Sequence, residues 1–241
     1  MIDLRGVSYS YDGIEALSGI DLQVRRGESV AVIGPNGSGK STLLKLINGI
    51  ILPDTGSYTF DGNEITGKRF RDAAFAKRFH QRVGFLFQNA DAQLFCPVVH
   101  DEIAFGPRQM GLDEAIVEGR VLDCLKLLQI EHLRLRAPYR LSEGEKRKVA
   151  LASTLALNPD VLVLDEPMNG LDPKTKRFIR EIILSLIAAG KTILCSTQDF
   201  TYVEGLFARG VVISADHVVV RDDEYQSILA DHAFLVRCNI V

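Results

Sequence analysis

Gly34-Pro35-Asn36-Gly37-Ser38-Gly39-Lys40-Ser41, followed directly by Thr42, fits G-x-x-x-x-G-K-[ST], the pattern of a phosphate-cradling loop. Glycines in such a loop let the backbone take positive φ and bring its N–H groups against an anion. Those amides form a concave nest, and the helix that follows adds the positive end of its dipole. Lys40 then reaches the β- and γ-phosphates of a nucleoside triphosphate, and the Ser41 hydroxyl ligates Mg2+. The flanks agree. Val30-Ala31-Val32-Ile33 is an apolar run of strand length, while Leu43, Leu44, Leu46, Ile47 and Ile50 recur at helical spacing with Gly49 near the end. Strand, glycine loop and helix in that order predict a nucleoside triphosphate site.

At 241 residues the chain suits one large domain or two small ones. Its 46% hydrophobic and 24% charged residues are an ordinary globular composition. A net charge of −3 gives no general attraction to nucleic acid or anionic lipid. No apolar run approaches the roughly 18–20 residues that span a bilayer, and the most apolar helical stretch, Ile182 to Ala189, is much shorter. Met1-Ile2-Asp3-Leu4-Arg5 lacks the basic and apolar regions of a signal peptide. Cys96, Cys124, Cys195 and Cys238 are widely spaced without a C-x-x-C pair, which predicts reduced, mostly packed thiols and a cytoplasmic location. His80, His100, His132, His217 and His232 show no metal-ligand spacing.

Upstream of the loop, Val7 to Tyr11 reads as a strand ending at Asp12-Gly13, and Ile20 to Val24 as a second. Tyr11 is either a sheet aromatic or a ring on which adenine stacks. Downstream, Ser57 to Phe60 runs into the hairpin signal Asp61-Gly62. The basic stretch with Lys68, Arg69, Arg71, Lys77, Arg78, His80 and Arg82 reads as a solvated helix face, with Phe70, Phe75 and Phe79 toward the core. A protein contact is the other reading of that stretch. Val83 to Phe87 predicts a buried strand, which puts Gln88 at the carboxyl edge where parallel sheets place ligands. A helical region from about Val98 to Leu135 carries a Leu122, Leu125, Leu128 seam, punctuated by Pro107 and Gly111.

Leu141-Ser142-Glu143-Gly144-Glu145 opens a long helix, and Ser142 with Glu145 has capping-box spacing. A helix start is also a potential anion site, so both readings stand together. Val161 to Leu164 is a compact strand ending in Asp165-Glu166. There Asp165 can hold Mg2+ through its water shell, and Glu166 can polarise the attacking water as general base. Asn169-Gly170-Leu171-Asp172-Pro173 is a turn before another helix. Thr192 to Ser196 is a further buried strand ending at Thr197-Gln198-Asp199, again at the ligand-bearing edge. Strands at Val211 to Ser214 and His217 to Val220 and a short polar helix close the chain, leaving little room for a separate carboxyl-terminal dimerisation domain.

Taken together and in order, these motifs resemble the ATP-binding cassette ATPase family over nearly the whole chain. Gly34 to Thr42 is similar to its Walker A motif, Gln88 to its Q-loop, Leu141 to Glu145 to its signature, and Val161 to Glu166 to its Walker B. Asn169 to Asp172 matches the D-loop, Gln198 stands at the switch-histidine position, and Tyr11 falls where the family stacks adenine. Phe87 to Phe95, with Ala104-Phe105-Gly106-Pro107 and Glu145, looks more narrowly like the energy-coupling-factor and cobalt–nickel uptake ATPases.

The resemblance implies an α/β fold: a P-loop RecA-like core, an antiparallel β subdomain and a helical subdomain, about residues 90–157, within one nucleotide-binding domain spanning 1–241. It implies two cassettes, identical or not, that sandwich two ATP molecules. In that arrangement Ser142, Gly144, Glu145 and Asp172 of one subunit face the triphosphate held by Gly34 to Thr42 of the other. Mg2+ would be bound by Ser41, Gln88 and Asp165, and hydrolysis would use Glu166, Gln198 and Gln88. Residues 88–111 would grip membrane components at the cytoplasmic face of the cell membrane, with no nucleic acid and no direct insertion. The implied function is ATP-driven uptake of a metal ion (cobalt or nickel) or a vitamin.

Two departures bear on it. Gln198 replaces a histidine and cannot carry a proton, so hydrolysis slows and a Gln198→His change raises it. Glu143 replaces a common glycine and brings negative charge toward an anion unless it points to solvent. These departures motivate the alternative of a weakly active or regulatory cassette in a heterodimer. A nucleic-acid-associated cassette ATPase is disfavoured by the absence of coiled-coil insertions, tandem cassettes or a basic surface, and a P-loop small-molecule kinase leaves Leu141 to Glu145 unexplained.

Overall fold

The computed structural model describes residues 1–198 and 200–240, so the strand end expected at Asp199 lies outside the described residues. The chain opens with β1 (Ile2–Tyr11), β2 (Ile14–Val24) and β3 (Ser29–Ile33), followed by α1 (Lys40–Ile47). Next come β4 (Thr55–Phe60), β5 (Asn63–Glu64), α2 (Gly67–Phe70), α3 (Ala73–Arg82) and β6 (Val83–Leu86). Three helices follow, α4 (Val99–Gln109), α5 (Glu114–Leu127) and α6 (Glu143–Leu155), before β7 (Val161–Asp165), α7 (Pro173–Ala188) and β8 (Thr192–Ser196). The last elements are α8 (Phe200–Val203), β9 (Arg209–Ile213), β10 (Val219–Glu224), α9 (Tyr225–Ala230) and α10 (His232–Arg237).

Two sheets result. The first is antiparallel, in the order β2-β1-β4-β5, and the second runs β10-β9-β3-β8-β7-β6. In the second, β9, β3, β8, β7 and β6 are parallel and only β10 runs against its neighbour. Strands buried on both faces need apolar residues throughout, and all five residues of β3, β7 and β8 are buried. Side chains of a strand alternate between faces, and the core divides accordingly. Val30, Val32, Val161, Val163 and Leu194 pack with α1 and the antiparallel sheet, through Leu43, Leu44 and Tyr58. Ala31, Ile33, Leu162, Leu164, Ile193 and Cys195 pack on the other side with residues of α4 to α7. Leu44 has no exposed surface, so truncating it to Ala costs about 2–5 kcal/mol.

This architecture sets the carboxyl ends of β3, β6, β7 and β8 along one edge, where doubly covered parallel sheets bind ligands. From that edge project the glycine loop, Gln88, Glu166 and Gln198.

Several details differ from the sequence reading. Strands β1 and β2 are longer than the expected Val7–Tyr11 and Ile20–Val24, because register shifts after Leu4 and Val7 break the alternation that marks a strand. In α5 the buried residues are Val117, Val121, Cys124 and Leu125, followed by Leu128, whereas Leu122 is 46% exposed. A three-residue repeat drifts off a face with 3.6 residues per turn, and here it leaves Leu122 on the outside. Pro107 does not break α4, which runs through it to Gln109; Gly111 at φ +78° follows its end. The basic stretch is two helices, separated where Asp72 accepts hydrogen bonds from the N–H groups of Ala74 and Phe75. His217 stands in the turn before β10, with its N–H bonded to Ser214 O, not inside the strand.

Candidate functional site

The glycine loop leaves β3 at Ile33 and turns into α1, whose capping residue is Gly39 at φ +103° with no side-chain cap. A Cβ on Gly39 would lie 2.2 Å from Ala16 O, so only glycine lets the loop lie against β2. Without a side-chain acceptor at the cap, the amides of the first turn are available to an anion. Lys40 curls back over the loop, and its Nζ donates to Gly34 O and Pro35 O at 2.8 Å each. The side chain is buried, which lowers the Lys40 pKa, and the carboxylates of Glu166 and Asp165 work against that shift.

Asp165 closes β7 beside Ser196 of β8, its register partner. Its Oδ1 accepts hydrogen bonds from Ser41 Oγ at 3.0 Å and from Ser196 Oγ at 2.6 Å. Ser196 Oγ in turn accepts the N–H of Glu166 at 2.9 Å. One buried hydroxyl therefore fixes both acids at the strand end. Glu166 adopts φ +43°, a left-handed conformation that costs an L-residue about 1 kcal/mol or more. Three side-chain amides hold its carboxylate: Gln88 Nε2 at 2.9 Å and Asn169 Nδ2 at 2.7 Å on Oε2, and Gln198 Nε2 at 3.0 Å on Oε1. Gln198 Nε2 donates to Asn36 Oδ1 of the glycine loop as well.

Asn36, Gly37, Ser38, Gly39, Lys40, Ser41 and Thr42 line one cavity together with Gln88, Glu166, Gln198 and Tyr11. Tyr11 is 40% exposed at the rim and is supported edge-on by Tyr9, with ring centroids 4.8 Å apart. An exposed, braced ring at the mouth of a phosphate cradle is suited to stacking on a base. Gly34 and Pro35 lie beneath the cradle, where they hold Lys40.

Ser142, Gly144, Glu145 and Asp172 are not brought to that cavity. They line a second one with Lys148, Lys174 and Phe178. Ser142 caps α6: Glu145 N donates to Ser142 Oγ, and the Glu145 carboxylate accepts from Ser142 N and Oγ at 2.8 Å each. These bonds lower the Glu145 pKa and fix its carboxylate at the cap, so Glu145 offers shape to this wall more than a free ligand atom. Asp172 similarly caps α7 through Lys174 N and Thr175 N, and its pKa falls chiefly through the Thr175 hydroxyl. Glu143 faces solvent and pairs with Lys146 at 3.2 Å, which offsets the negative charge that its place beside an anion site would bring.

Sequence reasoning missed three residues. Asn169 reads in the sequence as a turn residue and the start of the D-loop match, with no contact to Glu166, though a side chain three residues beyond a strand-end acid can fold back onto it. Ser196 looked like an ordinary strand residue. His217 Nδ1 donates to Ser38 O at 3.2 Å and lines the same cavity as the loop. A contact 179 positions apart leaves no local signal.

Known proteins match this chain over most of its length. The ABC transporter family profile matches residues 17–169. A putative ABC transporter ATP-binding protein of Clostridium acetobutylicum is 55% identical over 241 residues, covering 100% of each chain. The nickel import ATP-binding protein LarO of Lactiplantibacillus plantarum is 44% identical over 222 residues, covering 92% of each. Among solved structures, CbiO1 of Clostridium perfringens, part of the ABC transporter complex cbiONQ, superposes with a TM-score of 0.82 at 33% identity, covering 99% of this chain and 94% of that one. The chain belongs to the ABC transporter family, as an ATP-hydrolysing cassette similar to those of the energy-coupling-factor and cobalt–nickel type.

Proposed function

We propose that this cassette powers uptake of a small solute, a metal ion (cobalt or nickel) or a vitamin, through separate membrane proteins. The observation that carries the reading is the division of the site into two walls. The glycine loop, Glu166 and Gln198 line one cavity, whereas Ser142, Gly144 and Asp172 line another. A second cassette facing the first brings the loop of each against the signature wall of the other, and the ATP between them is enclosed. Closure assembles the catalytic groups, and loss of phosphate reopens the pair.

Within that site Lys40 and the α1 amides hold the triphosphate, and Tyr11 receives the adenine. Mg2+ suits the donors present, since Ser41 Oγ, the Asp165 carboxylate and the Gln88 amide oxygen are all hard oxygen ligands. When bound it neutralises phosphate charge during transfer. Glu166 takes the proton of the attacking water, and Gln198 and Gln88 hold its carboxylate in place. The nickel import names of similar proteins support the metal-ion reading.

The membrane components would dock over residues 88–111. Phe95 is 66% exposed and Phe105 41%, and their rings meet edge to face at 4.9 Å beside a groove that Glu102 and His80 also line. Among the described residues no helix is long and apolar enough to cross a membrane, which fits attachment through partners. The helical part, residues about 90–157, is then the lever of a single nucleotide-binding domain. The reading is tested by mixing the protein with MgATP after a Glu166→Gln change and measuring mass in solution. Doubling of the mass on ATP addition is expected; a monomer at saturating ATP would sink the two-wall reading.

A further inference from the structure

Arg147 lies in the second turn of α6, is 5% exposed, and forms no ion pair with a carboxylate among the described residues. Its guanidinium instead donates from Nη1 to Phe87 O at 2.7 Å and from Nη2 to Gln88 O at 2.5 Å. Its Nε is buried without a partner. Burying a cation costs several kcal/mol unless its hydrogens are well used, so a guanidinium spent on two successive backbone carbonyls calls for a reason beyond packing.

Geometry supplies one. The carbonyls of Phe87 and Gln88 belong to the peptide units before and after the Gln88 Cα. Fixing both peptide planes fixes φ and ψ at Gln88, and so the direction of its Cα–Cβ bond. The Gln88 side chain is 2.9 Å from Glu166 Oε2. The planar fork of Arg is suited to this double grip in a way a single-headed donor is not. A second tie runs parallel to the first: Gln93 accepts from Phe87 N at 3.2 Å and donates to Ala150 O of α6 at 2.9 Å. The helix that starts at the signature wall is thus bonded twice to the strand end that carries Gln88.

We propose that Arg147 is a positioning residue through which α6 sets the aim of Gln88 onto Glu166. A shift of the signature-bearing helix then changes the rate of hydrolysis while leaving nucleotide affinity nearly alone. The proposal rests on Glu166 being the group that activates water. A Glu166→Gln control tests that role separately: retained turnover there would remove Glu166, whatever Arg147 does.

The experiment measures kcat and KM for MgATP hydrolysis by the full chain carrying Arg147→Met, Arg147→Lys, Gln88→Ala, and each Arg147 change combined with Gln88→Ala. Arg147→Met is expected to lower kcat about tenfold with KM within about twofold, the pattern of an interaction realised in the transition state. In the Gln88→Ala background the same change is expected to add almost nothing, since the two act along one path. Arg147→Lys should recover part of the loss, because an ammonium can still donate to a carbonyl. If Arg147→Met does not fold, the Lys variant carries the same cycle. Losses that multiply in the double variant, or a KM that rises while kcat stays, would overturn the proposal and leave Arg147 a packing residue.

Discussion

Gln198 ties Glu166 to the glycine loop: its Nε2 donates to Glu166 Oε1 at 3.0 Å and to Asn36 Oδ1. Both hydrogens of one amide nitrogen are used, on acceptors from two different strand ends. With Gln88 and Asn169 on Oε2, the carboxylate is held from three sides and cannot swing freely. A residue that stands where the family has a histidine is therefore integrated into this site.

With Glu166 as the proposed general base, Glu166→Gln is expected to reduce turnover about 100-fold or more, while ATP binding persists. The new amide would also face three donor amides where a carboxylate accepted them, so its placement should loosen. Phosphate release and equilibrium nucleotide binding, measured on the same preparation, check this. Turnover equal to the parent would remove Glu166 from the reaction.

Gln198→Ala is expected to lower kcat by about tenfold with little change in KM, the pattern for removing a group that orients Glu166 in its proposed role as base. The sequence alone suggests that Gln198→His raises turnover. The structure argues otherwise, because no single imidazole nitrogen can donate to both Asn36 and Glu166. Steady-state kinetics of the two variants decide the point: a faster His variant would mean that charge at this position outweighs the double hydrogen bond.

Ser196→Ala should destabilise the fold by about 1–3 kcal/mol, because the part-buried Glu166 N–H loses its acceptor and the buried Asp165 carboxylate loses a donor. It should also reduce activity, since Asp165 and Glu166 lose their common anchor. Denaturant unfolding and ATPase assays on the same protein check both halves. An unchanged midpoint would show that water replaces the hydroxyl at no cost.

How much of this was legible in the sequence depends on how local each signal is. The glycine loop, the capping box at Ser142 and the acids after Leu164 are short patterns whose chemistry is carried within a few residues, and the structure puts each at a helix start or strand end. The pairing of Asp165 with Ser196 depends on sheet register across 31 positions, which spacing cannot show. Leu122 was misread for a different reason: a three-residue repeat imitates a helical face over two steps and then drifts from it. Strands β1 and β2 were cut short because bulges interrupt the alternation that reveals strands. The guanidinium of Arg147 on the Gln88 backbone joins residues 59 positions apart, and nothing in either stretch announces it.

Phe95→Asp is expected to leave folding stability within about 0.5 kcal/mol of the parent, because the ring is 66% exposed and surface substitutions rarely do more. It should, however, abolish copurification with the membrane components if these cover the Phe95–Phe105 pair. Burying a carboxylate against an apolar partner surface costs far more than the lost ring contact. Basal ATP hydrolysis should persist, as Phe95 lines neither the glycine-loop cavity nor the Ser142 cavity. Copurification from cells that express the membrane proteins, set beside the ATPase rate of the isolated variant, separates the outcomes. Retained assembly would move the docking surface away from residues 88–111, and a loss of basal hydrolysis would mean that Phe95 supports the site from below instead of facing a partner.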